Sequence, residues 1–196
     1  VEGPWDVHRI LGTVPVFEDG SAVFTVPANT PIAVQPLDER GRALQVMRSW
    51  FTAMPGEVLS CVGCHEQQNM GPPVTRSLAS RTPPVAIEPW YGPARGFSFK
   101  RDVQPALDQF CVGCHQGQEG RPDFARKDEN GWNNFTPAYV ALHPYVRRPG
   151  PGSDYHLAMP MEWHAGTSEL VQMLEKGHFG VKPDAEAWDR LFTWID

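Results

Sequence analysis

"FSFKRDVQPALDQFCVGCH", residues 97–115, sets both the local fold and the chemistry of the chain's second half. Val103, Leu107 and Phe110 fall at helical spacing, and Pro105 is tolerable only in a first turn. A helix is therefore expected to run straight into the pentapeptide Cys111 to His115. The same five letters, CVGCH, stand at residues 61–65, and the two copies use all 4 cysteines of the 196-residue chain. That repetition asks for one chemical explanation.

Three readings compete: disulfides, a four-thiolate zinc site and covalent haem attachment. Structural zinc pairs usually lie about 15 to 20 residues apart, whereas 46 residues separate Cys64 from Cys111. A thioredoxin-type redox pair needs a strand-to-helix setting, and neither copy has one. Only haem attachment gives the histidines a purpose. Cys61 and Cys64 would then bind the vinyl groups of one haem c, and Cys111 and Cys114 those of a second. His65 and His115, each directly after its second cysteine, are expected beneath the ring plane, where imidazole can ligate iron. Two covalently bound haem c groups are the expected cofactors.

The opposite face of each iron decides its chemistry. A strong ligand on both faces favours electron transfer, and an open face permits substrate chemistry. "TSELVQMLEKG", residues 167–177, reads as a helix capped by Thr167 or Ser168, with Leu170, Val171 and Leu174 on one face and Gly177 as terminator. His178 follows just beyond that end. "PDAEAWDRLFTWID", residues 183–196, reads as a closing helix capped by Asp184 that buries Trp188, Leu191, Phe192 and Ile195.

Ahead of the first pentapeptide the pattern changes. "TVPV", "SAVFTVP" and "IAVQPLD" alternate or run apolar between the turn signals Asp19-Gly20, Pro27 to Pro31 and Glu39 to Gly41. These predict a small β-sandwich-like module over residues 1–57. Residues 58–95 are a coil-rich first haem segment, and residues 96–196 a mainly α-helical cytochrome c-like domain. The expected class is α+β.

Composition narrows the function. With 41% hydrophobic and 20% charged residues the chain is globular, while 20 Pro and 18 Gly predict short elements and many loops. A net charge of −6 argues against nucleic acid as a partner. No apolar run approaches the roughly 20 residues of a membrane helix, so no membrane insertion is expected. No Ser/His/Asp grouping, phosphate loop or carboxylate pair supports a hydrolase or kinase. The start at Val1 rather than Met is expected of a mature protein or a piece of a longer one.

Four stretches together resemble a known family: "GTVPVFEDGSAVFTVPANTPIAVQPLDERG", "MRSWFTAMPGEVLSCVGCHE", "LHPYVRRPGPGSDYH" and "ELVQMLEKGHFGVKPDAEAWDRLFTWID". They are similar to the C-terminal dihaem part of the hydrazine synthase alpha-subunit family, and the second half resembles a class I cytochrome c. The resemblance implies that His115 lies below haem 2 and His178 above it; Gly177 permits the sharp helix exit this needs. His164, His156 and Met159 are the rivals of His178, and Met161 and Met173 read as packing residues. In that family the first haem takes a tyrosine four residues after the motif histidine. Asn69 stands there in this chain, and amides are poor iron ligands, so His65 is assigned as the proximal ligand of haem 1. His143, Met70 and His8 are the candidates for its opposite face, alongside an open or water-filled position.

Tyr139, Tyr145 and Tyr155 are expected to be packed aromatics, and Arg147 and Arg148 could pair with haem propionates. The expected function is a dihaem electron carrier that serves a redox partner protein or a catalytic domain of a longer chain. The alternative is a redox enzyme whose haem 1, beside the polar run Glu66 to Asn69, acts on a small nitrogen or oxygen species. Thioether attachment takes place outside the bacterial inner membrane, so a periplasmic or extracytoplasmic location is expected.

Overall fold

Ahead of the second pentapeptide the helix forms in two steps. A π-helical turn, Phe99–Val103, leads directly into α1, Gln104–Phe110, with Pro105 in the first turn where its missing N–H costs nothing. The wide turn is fixed by Asp102. Its N–H donates to the Ser98 carbonyl at 2.7 Å while its carboxylate accepts the Ser98 N–H at 2.8 Å. The computed structural model describes residues 7–47, 49–62, 76–127, 135–146 and 164–196. Within these, α2 is Pro137–Leu142, α3 is Glu169–Lys176 and α4 is Ala185–Ile195.

Most of the apolar positions read from the sequence pack together, while Phe110 stays half-buried outside the cluster. Val103 and Leu107 of the first helix, Leu170, Val171 and Leu174 of α3, and Leu191, Phe192 and Ile195 of α4 join one buried cluster. Trp188 stays half-buried against Phe192, and Trp194 takes the buried place instead, edge-on to Phe99. Arg190 of α4 adds a polar fastening. Its guanidinium donates to the Asp102 carbonyl at 3.1 Å and lies 3.6 Å from the fully buried Asp102 carboxylate, which Arg101 also holds at 2.7 Å. The segment 34–47 docks on the same helices, with the Asp196 carboxylate accepting the Ala43 and Ala165 N–H groups and Arg40 pairing with Glu175. The described residues of 34–47 and 97–196 thus belong to one compact unit, and those of 8–33 and 48–96 to a second.

The second unit corrects the expected class. No β-sandwich-like module forms over residues 1–57, and no strand or sheet exists among the described residues. Single bridges join Arg9 to Gly96, Thr13 to Glu88, Phe24 to Val85 and Ile32 to Phe51, and one more joins Leu37 to Ala43 in the helical unit. The α+β assignment therefore gives way to short helices joined by irregular backbone. Proline explains the failure. Pro15, Pro27, Pro31 and Pro36 interrupt each apolar run, and a residue without an N–H cannot extend a ladder. Alternation placed the bridges, but it could not propagate them.

Candidate metal centre

The end of α1 delivers the pentapeptide as one more helical turn. The Cys111 N–H donates to the Leu107 carbonyl at 2.8 Å, and the His115 N–H to the Cys111 carbonyl at 3.1 Å. Cys111 is half-buried against the apolar cluster, and burial pushes its thiol up to about 11. Cys114 is exposed, and both sulfurs are free thiols. The two sulfurs thus stand on one turn, one sheltered and one open.

His115 is held in one orientation. Its Nδ1 lies 3.1 Å from the Pro122 carbonyl oxygen, which can only accept, so Nδ1 carries the proton and Nε2 presents a lone pair. Phe124 packs against the ring, with centres 4.8 Å apart, and its N–H donates to the His115 carbonyl. Neither partner was read from the sequence. A backbone carbonyl leaves no signal there, and a phenylalanine nine residues past the histidine resembles any core aromatic.

His178 approaches from the other side. Gly177, at φ 95°, ends α3 in a conformation that favours glycine, and the turn that follows is closed by the Val181 N–H on the His178 carbonyl at 3.0 Å. The two imidazoles lie 22° from parallel with centres 6.0 Å apart. Offset ring stacking spans roughly 4.5 to 7 Å between centres, and this pair falls within it. With about 2 Å from metal to imidazole nitrogen and roughly 1 Å more to each ring centre, two axial imidazoles on one metal have centres about 6 Å apart. The 6.0 Å spacing is thus also compatible with a metal held between the two rings, and two thiols beside a pair of imidazoles are the donor types that a haem c uses.

The rivals of His178 are placed otherwise. His164 is buried, with Nδ1 4.0 Å from the Asp196 carboxylate. His156 and Met159 lie outside the described residues, as do Met161, Tyr155, Arg147 and Arg148. Of the first motif only Cys61 and Val62 are described; Cys64, His65, Asn69 and Met70 are not. Cys61 is an exposed free thiol flanked by exposed apolar side chains, among them Trp50, Met54, Val58 and Val62. His8 is exposed, and His143 packs against Tyr139 at the end of α2. Tyr139 itself sits in an aromatic group with Phe99, Phe135 and Trp194. Among the described residues no three His, Cys, Asp or Glu side chains converge as a metal site.

No helix among the described residues is long and apolar enough to cross a membrane. Neither the curated proteins nor the solved structures contain a significant match to the chain. Residues 1–66 match the family model of the hydrazine synthase alpha subunit middle domain. The similarity is thus to the middle domain and not to the C-terminal dihaem part, it covers about a third of the chain, and it takes in the whole of the first pentapeptide.

Proposed function

We propose that the chain is a dihaem c-type cytochrome module that passes single electrons to a partner protein or to a catalytic domain of a longer chain. The observation that carries this is the opposed pair His115 and His178, with ring centres 6.0 Å apart. Bound haem supplies a one-electron iron couple. The chain's own residues do the rest. Cys111 and Cys114 would anchor the group, His115, with its tautomer fixed by the Pro122 carbonyl, and His178 would hold its iron, and two imidazole ligands would suit electron transfer rather than substrate binding. Cys61, Cys64 and His65 serve the first haem in the same way, with His143, Met70 or His8 as its further ligand. The location is extracytoplasmic, where thioethers are made.

The test is spectroscopic. The full chain, matured with haem, should be heavier than the bare polypeptide by two macrocycles, and haem 2 should be low-spin and inert to carbon monoxide. His178→Ala should convert one haem to a high-spin, carbon monoxide-binding form. An unchanged spectrum in that variant would remove the pair from the mechanism.

A second reading is favoured by one observation, the match of residues 1–66 to the hydrazine synthase alpha subunit middle domain. In it haem 1 is the reactive group of a redox enzyme acting on a small nitrogen or oxygen species, and haem 2 is its electron relay. A high-spin band in the unaltered protein that shifts with cyanide would select this reading.

A further inference from the structure

We infer that Phe179 is the positioning residue for His178, its ring fixing the plane of the imidazole that faces His115. The inference rests on His178 being the axial ligand. Its starting point is a misfit between residue and backbone. The turn closed by the Val181 N–H on the His178 carbonyl has positive φ at both central residues, 48° at Phe179 and 78° at Gly180. That is the pattern of a type I′ turn, whose first central position is dominated by Gly, Asn and Asp. Phenylalanine is a poor occupant, and left-handed φ in a bulky residue marks strain held for a purpose.

The polypeptide's own core does not hold the residue there, since Phe179 is 90% exposed among the protein atoms. What it touches is His178: the two rings meet edge-on, with centres 4.9 Å apart and planes 85° from each other. A phenyl ring against one imidazole face restricts rotation about the Cβ–Cγ bond of His178, while the turn fixes its backbone. His115 has an equivalent guide in Phe124 and the Pro122 carbonyl. On the His178 side Phe179 performs that task, at the expense of both turn propensity and exposure.

Three variants of the haem-loaded full chain separate the possibilities. Phe179→Asn suits the turn and removes the ring; Phe179→Tyr keeps the ring; His178→Ala identifies the spectral contribution of haem 2. Phe179→Asn should melt at a higher temperature than the parent. It should also change the low-temperature electron paramagnetic resonance g values of haem 2, which report imidazole orientation, and let the reduced haem, inert in the parent, bind carbon monoxide. Phe179→Tyr should restore the parent signals. If His178→Ala becomes high-spin while Phe179→Asn keeps the parent g values and carbon monoxide inertness, the positioning role is overturned and the ligand stands. If His178→Ala changes nothing, the ligand assignment falls and takes this inference with it.

Discussion

Asp102 carries a fully buried carboxylate that ties the wide turn to two arginines. Fully buried, it accepts from the Ser98 N–H and from Arg101, and Arg190 lies beside it while donating to its carbonyl. Removing one partner of such a buried pair strands the others. Asp102→Ala should cost about 3 to 5 kcal/mol in urea unfolding, with Asp102→Asn milder. Gly12 is the second critical position. Its φ is +141°, and a Cβ there would stand 1.9 Å from the Glu88 carbonyl oxygen, opposite the bridge at Thr13. Gly12→Ala should lower stability by more than about 2 kcal/mol, measured in the same way, as clash adds to backbone strain. At this scale the sequence was partly legible. Adjacency to a cysteine singled out His115, whereas His178 was singled out by a family resemblance, with Gly177 only permitting its approach. Asp102 was not visible, because an Arg-Asp pair reads as surface until the wide turn buries it.

Among the elements, α4 has the best-defined start. The Asp184 carboxylate accepts the Ala187 N–H at 2.8 Å, whereas Ser168 caps α3 without a side-chain bond. Asp184→Ala should therefore cost about 1 kcal/mol, a fall of roughly 2 to 4 °C in melting temperature. Ser168→Ala offers a comparison in which no capping bond is lost. Helices were legible because their signals are local: a cap, a stripe of Leu170, Val171 and Leu174, a terminal glycine. Strands were not. Val14, Val26 and Val34 sit in runs that alternate or run apolar as strand residues should, but a strand also needs an uninterrupted row of N–H donors, and Pro15, Pro27 and Pro36 remove it. Counting apolar positions without asking which backbone groups could pair produced the expected sandwich.

For the molecule as a whole, acid is the condition that should discriminate. Burial raises the Asp38 carboxyl, but the Arg42 N–H and guanidinium and the Arg40 N–H outweigh it, so the net shift is downward from 3.8. A carboxyl lowered in the folded state stabilises fully above its unfolded value and loses that contribution as pH falls through the folded one. Wild type should thus exceed Asp38→Asn in stability at pH 6, and the gap should close below about pH 3.8. Urea midpoints at pH 6 and pH 3 check this. The unit formed by residues 8–33 and 48–96 suggests a different measurement. Its described residues bury only Ile32 and Ala53 among their apolar side chains, and its bridges stand singly. A lone bridge opens without disturbing a neighbour. In deuterated solvent the amides of Thr13 and Ile32 should therefore lose their protons long before those of Val171 and Leu191, so two rates of isotope uptake should be recorded along one polypeptide.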